Sequence, residues 1–339
     1  RFPSWARRWL PGGSGEEGSQ PEVAVFLRAG ADKGDELRAA LFALLLLRRL
    51  DGGGLDGGGL DAPDAPATGA AVEAAVEPGF SDLGEAVGFG DHEPAQPHHV
   101  RLQQAAQESF GAALPRVRGR VRAMKGVWSG GTLASFKATM AAAAKDPSLG
   151  ATLMNPFALT PGFTGPDQPS GAKPLYDEAL GSWVAPFMMA TINTKSIHRS
   201  NFLLDHRYGK DFVYDEMVLT GPGEKGEATA KAVAGDKSMA TDTTQPGEGP
   251  TKEQRETGMY DLLFVGETAD GRSIRASVQG DMDPGYGSTS KMIAESAVCL
   301  LKNPEAASGG IWTPAAVLGS LLLDRLQRNA GLTFRMEHV

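Results

Sequence analysis

The sequence is poor in cysteine: its 339 residues include only one, Cys299. A single cysteine excludes a disulfide framework and any zinc or iron–sulfur site built from several cysteines, and it is typical of a reducing compartment such as the cytoplasm. A membrane-spanning segment is also missing, because the apolar run around Leu41 to Leu47 falls well short of the about 20 residues that a bilayer requires. The net charge of −8 argues against a general nucleic-acid binder. The remaining composition, with 41% hydrophobic and 22% charged residues, is that of an ordinary globular protein long enough for two domains.

The first hundred residues lack whole residue types that the rest of the chain uses freely. They contain no Met, Tyr, Ile or Asn and one lysine, and their 16 acidic and 8 basic side chains account for the whole net charge. The missing types have AT-rich codons, so a GC-rich gene read in a wrong frame would give this composition, and a low-complexity extension would give it equally well. We therefore predict that residues 1–100 are a low-complexity segment, disordered or out of frame, and that residues 101–339 form a separate domain.

One regular element stands out in the first hundred residues. Residues 36–50 are rich in good helix formers and end in basic residues, which predicts a helix that packs on another element or lies on a membrane surface. The glycines that follow, Gly52, Gly54 and Gly57, match a dinucleotide-binding pattern in spacing alone. That motif needs a strand before it and a helix after it, whereas here a helix precedes and prolines follow, so we expect no nucleotide site there.

Beyond residue 100, the apolar residues follow regular helix and strand periods. Helices are predicted at 102–110, 132–145, 178–204 with a break at Pro186, 288–302 and 313–329, and strands at 116–125, 212–219, 259–267, 272–280 and 332–336. The helix after Thr313 has a typical start signal, an N-cap threonine followed by proline. Strands that pair as hairpins, with helices packed alongside, predict an α+β fold with a mixed or antiparallel sheet.

The first predicted strand of this region, residues 116–125, carries a basic stripe. Apolar residues alternate with Arg116, Arg118, Arg120 and Arg122, so the arginines share one face of the strand. A solvated sheet face is the favoured interpretation. A phosphate site or an acyl-carrier surface is the alternative.

The glycine pattern in the most favourable context is Gly221-Pro-Gly223-Glu-Lys-Gly226, which follows a predicted strand and precedes a short helical stretch. Pro222 removes one N–H group, and Glu224 stands where a phosphate would approach. No strand that ends in an acidic residue follows about 20 residues later, as the dinucleotide fold requires. We expect a surface loop here rather than a nucleotide site.

The densest group of polar residues runs from Asp281 to Lys291. Its spacing fits neither an EF-hand nor a P-loop. It predicts a tight turn that delivers residues 288–290 to a helix N-terminus, where N–H groups and hydroxyls suit an anion. Tyr286 and Lys291 are close enough in sequence to donate a proton or polarise a carbonyl group. A well-capped helix with a tyrosine in the core is an equally good interpretation.

Two other groups of residues invite a functional interpretation. His198 and Arg199, on the long predicted helix, could orient a carboxylate or a thioester, but electrostatic capping of the helix C-terminus is the favoured interpretation. Cys299 lies in an apolar run and is predicted to be a buried structural thiol. The spacing of His, Cys, Asp and Glu residues predicts no metal site.

Four stretches together resemble a known family. They are 176–193 (YDEALGSWVAPFMMATIN), 214–223 (YDEMVLTGPG), 283–292 (DPGYGSTSKM) and 309–316 (GGIWTPAA). They resemble the C-terminal part of the saccharopine dehydrogenase-like oxidoreductases, and the nearest branch is the trans-acting enoyl reductases, which serve lipid and polyketide synthesis. The resemblance covers about residues 102–334, in order and without large gaps.

The resemblance implies a dinucleotide domain that binds NADP(H), followed by an α+β domain that shapes the substrate pocket. It implies hydride transfer to a conjugated or imine carbon of a lipid-like or small substrate. Residues 1–100 show no strand, glycine turn and helix in that order, so the dinucleotide domain is predicted to be missing or replaced. We accordingly predict that this chain does not bind NADPH. The alternative is a non-catalytic lipid- or membrane-associated binding protein that uses the 36–50 helix.

Within this resemblance, each candidate residue has an expected role. Tyr286 is the expected proton donor and Lys291 its electrostatic partner. The remaining candidates are expected to contact the substrate: Ser288, Thr289 and Ser290 as anion binders, and Trp128, His198 and Arg199 as pocket lining.

Overall fold

The computed structural model of the protein describes residues 27–29, 95–306 and 310–337. The predicted helix at 36–50 lies outside these residues, and so does the predicted membrane-surface contact. Over the described ranges, no helix combines the length and the apolar character needed to cross a membrane.

A seven-stranded mixed sheet forms the centre of the fold. In chain order, the strands are β1 (Leu27–Ala29), β2 (Arg116–Lys125), β3 (Leu175–Asp177), β4 (Ser182–Pro186), β5 (Val213–Gly221), β6 (Met259–Glu267), β7 (Ser273–Gly280), β8 (Gly310–Trp312) and β9 (Leu332–Glu337). The sheet order is β3-β4-β5-β2-β6-β7-β9, and β1 pairs with β8 separately. The β2–β5 pair is parallel and the other neighbours in the large sheet are antiparallel.

The described residues also form helices, several of which pack against this sheet. They are α1 (Ala95–Phe110), α2 (Gly130–Lys145), α3 (Pro147–Met154), α4 (Ala190–Leu203), α5 (Gly223–Ala234), α6 (Ser238–Thr241), α7 (Lys252–Glu256), α8 (Gly287–Lys302) and α9 (Pro314–Asn329), with a 3-10 turn at Pro304–Ala306. Helices α1 and α4 contact each other and α9, and α8 packs against α9. The predicted α+β fold with a mixed sheet is confirmed. The predicted domain boundary at residue 101 falls inside α1.

The core lies between these helices and the sheet. Val117 on β2, Tyr214 on β5 and Phe264 on β6 are fully or almost fully buried there. The ring of His99, on α1, lies edge-on to Tyr214 and Phe264, with centroid distances of 4.7 and 5.1 Å. The predicted alternation of β2, with the valines inward, therefore agrees with the packing.

The prediction of one broken helix over 178–204 is wrong in its first half. Residues 182–186 form β4, in which Val184 and Ala185 are fully buried and pair with Leu219 and Val218 of β5. Pro186 ends the strand, and the helix begins only at Ala190. The apolar run was long enough for either structure, and the exposed edge of β5 decides in favour of a strand.

The arginine face of β2 is not the solvated face that its alternation predicted. Arg120 is 2% exposed, and its guanidinium contacts Asp177 at 2.9 Å and Asp215 at 2.8 Å. The connection between β3 and β4 reaches across this face. The carbonyl oxygen of Ala179, in that connection, accepts a hydrogen bond from Arg275 on the distant strand β7. The same face holds the pairs Arg116–Asp215, Arg118–Glu267, Arg122–Asp261 and Arg122–Glu337. Since every β2 arginine has a carboxylate partner, the stripe does not offer a free cationic surface.

Candidate functional site

The turn between β7 and α8 is built around the buried carboxylate of Asp283. Its Oδ2 and Oδ1 accept hydrogen bonds from the backbone N–H groups of Tyr286 and Gly287, at 2.9 and 2.7 Å. Its own N–H donates to the carbonyl oxygen of Arg255 at 3.0 Å. A Cβ at Gly258 would lie 2.3 Å from the Asp283 Cα, so only glycine allows this approach. The carboxylate therefore takes the place at the α8 N-terminus that the sequence offered to an external anion.

The half-buried phenol of Tyr286 reaches the N-terminus of another helix, α2. Its oxygen accepts a hydrogen bond from the backbone N–H of Ser129 at 2.9 Å and lies 2.8 Å from Oγ1 of Thr132. Ser129 is also the N-cap of α2, because its Oγ accepts from the Thr132 N–H at 3.1 Å. The N–H groups at a helix start stabilise a negative charge. The phenol oxygen of Tyr286 therefore lies at the positive end of the α2 dipole.

The three hydroxyls that follow Tyr286 bond to protein atoms rather than facing one common ligand. The buried Ser288 hydroxyl lies 2.9 Å from the hydroxyl of Tyr260 on β6. Thr289 and Ser290 donate to backbone carbonyl oxygens 2.6 and 3.1 Å away. The predicted anion site would require these hydroxyls to change partners.

Lys291 lies near the Tyr286 turn along the chain, whereas Trp128 adjoins Ser129, one of the hydrogen-bond partners of Tyr286. Lys291 is half-buried on α8 and takes part in none of the side-chain hydrogen bonds or ion pairs found over residues 99–306 and 311–337. Trp128 is half-buried and directly precedes Ser129, whose N–H donates to Tyr286. The roles predicted for both remain predictions.

His198 and Arg199 are not part of the Tyr286 turn. The His198 ring is buried against Phe157, with centroids 4.5 Å apart, and burial lowers its pKa to about 4, so it is neutral at physiological pH. The Arg199 guanidinium donates to the carbonyl oxygens of Leu159 and Ile311, at 3.1 and 3.2 Å. The structure thus gives these two candidates different neighbours from those of Tyr286.

The favoured interpretation of His198 and Arg199 as C-terminal capping residues is also wrong. Helix α4 runs on to Leu203 and has no basic residue in its last turn. The sequence between Arg199 and Leu203 contains no glycine or proline that would end the helix near Arg199. His198 is instead a buried residue of the helix that packs against Phe157.

The strand, turn and helix context predicted for Gly221 to Gly226 is present, since β5 ends at Gly221 and α5 begins at Gly223. The turn nevertheless folds closely on itself. A Cβ at Gly226 would lie 1.9 Å from the carbonyl oxygen of Gly221, and the Gly226 N–H already donates to Pro222. Glu224 lies in the first helical turn, where its charge opposes a phosphate. This geometry does not fit a dinucleotide.

A buried carboxyl group that sequence reasoning missed is that of Glu216 on β5. Tyr214 donates its hydroxyl proton to Oε1, and the Asn193 amide donates to Oε2 at 2.8 Å. Burial raises the pKa of Glu216 to about 7, even though these two hydrogen bonds act in the opposite direction. The signal was the pair Asp215-Glu216 in a strand, because alternation must send one of two adjacent carboxylates to the core face.

Glu216 forms part of the wall of a narrow, mainly apolar slot. Its lining also includes Arg120, Met124, Phe187 and Pro284, and Pro284 belongs to the same turn as Tyr286. The slot leaves about 20 Å³ for the centre of a water-sized sphere, which is room for about one water-sized group.

Two smaller expectations concern cysteine and metal binding. Cys299 is fully buried, as predicted, and burial raises the pKa of its thiol. Among residues whose side chains are described, no group of three or more His, Cys, Asp or Glu residues could hold a metal ion.

Comparison with known proteins gives relatives that are named as trans-acting enoyl reductases. A "Putative trans-acting enoyl reductase" of Mycobacterium tuberculosis is 33% identical over 268 residues, which cover 71% of this chain and 64% of the relative. The chain is similar to trans-acting enoyl reductases. A "Trans-acting enoyl reductase" of Mycobacterium ulcerans is 29% identical over 257 residues, covering 68% of this chain and 61% of the relative. A protein of the same name from Mycobacterium bovis is 30% identical over 226 residues, covering 58% and 54%.

The chain thus spans somewhat less than two thirds of the length of these curated relatives. No protein-family model matches the sequence. No solved structure matches it either.

Proposed function

We propose that this chain carries the substrate-binding part of an NADP(H)-dependent, enoyl-reductase-like oxidoreductase. The observation that carries the proposal is its 33% identity over 268 residues to a relative named for enoyl reduction. The family resemblance of residues 102–334 to saccharopine dehydrogenase-like enzymes supports the same activity. The substrate would be an unsaturated acyl group of a lipid or polyketide type, presented as a thioester.

Tyr286 is the proton donor in this proposal. Reduction of a conjugated double bond adds a hydride to one carbon and a proton to its neighbour, so a positioned acid is needed. The Ser129 N–H and the Thr132 hydroxyl already hold the phenol oxygen at the start of α2. They stabilise the phenolate that forms as the proton leaves. Lys291, on the helix that follows Tyr286, is its electrostatic partner in this proposal.

In this proposal, residues 95–306 and 310–337 do not bind the cofactor that supplies the hydride. The glycine turn at 221–226 is closed by its own backbone contacts and carries Glu224 at the helix start. We therefore assign these residues the shaping of the substrate pocket and the protonation step. NADP(H) would be held outside these residues.

The test is a chimaera in which residues 95–339, from the start of α1, replace the corresponding part of the full-length Mycobacterium tuberculosis relative. We expect it to oxidise NADPH when an enoyl thioester is added. Tyr286→Phe should lower the rate about 100-fold or more, as expected for loss of a general acid. Tyr176→Phe is the matched control, because Tyr176 is exposed and lies on β3.

Two results would contradict the proposal at different points. A folded chimaera that does not oxidise NADPH with any enoyl thioester would remove the reductase function. Full activity of the Tyr286→Phe variant would remove only the role of Tyr286. Titration of the 339-residue chain with NADPH, followed by fluorescence, tests the separate prediction that the chain does not bind the cofactor by itself.

A further inference from the structure

The start of α2 places two further hydroxyl groups in a row with the phenol of Tyr286. The phenol oxygen lies 2.8 Å from Oγ1 of Thr132, and Oγ1 of Thr132 lies 3.2 Å from Oγ of Ser129. The first distance is that of a normal hydrogen bond, and the second is that of a longer one. We call these three side chains the hydroxyl row.

Helix capping explains why two members of the row are neighbours. Ser129 is the N-cap of α2 and Thr132 is its third helical residue, and the Ser129 Oγ accepts from the Thr132 N–H at 3.1 Å. The helix start is packed tightly from outside. The Gly130 N–H donates to the carbonyl oxygen of Glu248 at 2.9 Å, and a Cβ at Gly130 would lie 1.7 Å from the carbonyl oxygen of Gln245.

The Tyr286 turn is fixed against the same end of α2. The backbone N–H of Ser129 donates to the phenol oxygen at 2.9 Å. A Cβ at Gly126 would lie 2.9 Å from Cδ of Pro284, so the connection from β2 to α2 touches this turn directly. On the other side, the carboxylate of Asp283 holds the Tyr286 N–H at 2.9 Å. The spacing of the hydroxyl row is therefore set by two anchored stretches of backbone.

The role proposed for Tyr286 sets the direction of the hydrogen bonds in the row. An acid must direct its own proton toward the substrate, so toward α2 the phenol oxygen is an acceptor. It accepts from the Ser129 N–H and from the Thr132 hydroxyl. Thr132 in turn accepts the hydroxyl proton of Ser129. Each hydroxyl group therefore donates to the next, from Ser129 through Thr132 to Tyr286.

Burial differs along the row in a way that suits proton transfer. Thr132 is 2% exposed, whereas Ser129 and Tyr286 are half-buried. Water therefore has access to the residues at both ends, and the middle member is enclosed. A substrate that contacts Tyr286 covers one end, so Ser129 is the end through which a proton can still enter.

We propose that the hydroxyl row is a proton relay that reprotonates Tyr286 while the substrate is bound. The phenol O–H bond breaks as its proton goes to the substrate carbon, and the Thr132 proton forms a new O–H bond on Tyr286. Thr132 takes the proton of Ser129, and Ser129 takes one from the solvent. The net change is the movement of one proton from solvent to substrate, and none of the three residues is oxidised or reduced.

The relay rests on the proposed function, because it requires Tyr286 to be the acid. Ser129 and Thr132 act only through Tyr286, so they are positioning residues. Their hydroxyl groups must also move protons during the reaction, which a purely structural role does not require. A measurement that counts moving protons therefore separates the two roles.

The experiment measures single-turnover NADPH oxidation by the chimaera in mixtures of H2O and D2O, with a saturating enoyl thioester. With the relay intact, the rate should follow a curved line against the deuterium fraction, because more than one proton moves. Thr132→Val should lower the rate about tenfold and make the line straight. Thr132→Ser restores a hydroxyl group and should restore both the rate and the curvature. Thr139→Val, at a half-buried residue of the same helix, is the matched control and should change neither.

A second variant tests whether the two hydroxyl groups act in series. Ser129→Gly removes the hydroxyl but keeps the backbone N–H that donates to Tyr286, and glycine is a tolerated N-cap. It should also lower the rate, and the double variant with Thr132→Val should be no slower than Thr132→Val alone. Losses that multiply in the double variant would show two independent contributions and would overturn the relay.

The relay and the proposed function fail in different experiments. A straight line for the wild-type residues, or a folded Thr132→Val variant with the full rate, would overturn the relay and leave the reductase function in place. A folded chimaera that oxidises no NADPH would remove the function and the relay together. Circular dichroism of each variant shows whether it is folded, and the wild-type isotope measurement needs no variant.

Discussion

Asp215 and Glu216 are adjacent acids on one strand, yet their surroundings are opposite. Asp215 faces Arg116 and Arg120 on the outer face of the sheet. Glu216 faces Tyr214 and Asn193 on the helix face. Both residues are 5% exposed, so the two acids differ in their partners and not in their burial. Asp215 has guanidinium partners, whereas Glu216 has neutral donors in an apolar slot, where desolvation raises its pKa.

A third buried acid, Asp283, has partners of another kind. Its partners are the backbone N–H groups of Tyr286 and Gly287, at the start of α8. The three acids together separate three ways of burying a carboxyl group: with guanidinium groups, with neutral side chains, and with a helix N-terminus. Removing one partner at a time tests whether each acid behaves as its partners imply.

The largest effect is expected from Arg120→Ala. It leaves the buried acids Asp177 and Asp215 with less positive charge, and breaking a buried ion pair from one side typically costs about 3–5 kcal/mol. Urea unfolding at neutral pH measures the loss in the free energy of unfolding. A loss below about 1 kcal/mol would mean that water reaches this cluster and screens its ion pairs.

Glu216→Gln should remove a pH dependence rather than a contact. In the wild-type protein, the pKa of Glu216 is raised from 4.5 to about 7, so the free energy of unfolding falls as pH rises from about 4.5 to about 7. The expected fall is about 3 kcal/mol, and the variant should lack it. Urea unfolding of both proteins at about pH 5 and about pH 8 measures the difference. Glu224→Gln, at an exposed acid on α5, is the control and should leave the fall intact.

Asp283→Ala tests the acid that is held by backbone groups. The N–H groups of Tyr286 and Gly287 lose their acceptor, which is expected to cost about 2 kcal/mol, as for the loss of a strong helix cap. Thermal or urea unfolding measures this cost. Asp281→Ala, at an exposed residue of the same turn, should cost less than about 0.5 kcal/mol. Equal costs for the two variants would argue against a special role for the Asp283 carboxylate.

The smallest effect is expected from Arg118→Ala, the matched control for Arg120. Arg118 pairs with Glu267 on the same face, but their side chains are 21% and 29% exposed. Water screens such a pair, so its loss should cost less than about 1 kcal/mol. If Arg118→Ala is as destabilising as Arg120→Ala, then the whole arginine face acts as one network rather than as one buried cluster with a wetter rim.

Local patterns predicted much of the fold correctly. The alternation of β2, the hairpin of β6 and β7 and the Thr313-Pro314 helix start all depend on neighbouring residues, and the structure confirms them. The 178–204 region was predicted less well, because an apolar run beside a sheet edge can form a strand or a helix. Only pairing with β5 made residues 182–186 a strand.

The candidate site was predictable only in part, for a similar reason. The Tyr286 turn and its helix could be read from consecutive residues, including the start of α8 close to Ser288. The partners of Tyr286 could not, because Ser129 and Thr132 are more than 150 residues away along the chain. Glu216 was missed since its importance depends on Asn193, Gly119 and the slot, which come from other elements.

The sequence by itself determined that this chain is an α+β protein with a capped helix start at the Tyr286 turn, because period, capping and turn chemistry act over a few residues. It also carried the similarity to enoyl reductases. Only the tertiary structure decided which acids are paired with arginines and which is left in an apolar slot. The reason is that the ionisation of a buried group depends on the charges and donors within a few ångströms of it, and those neighbours come from distant parts of the chain.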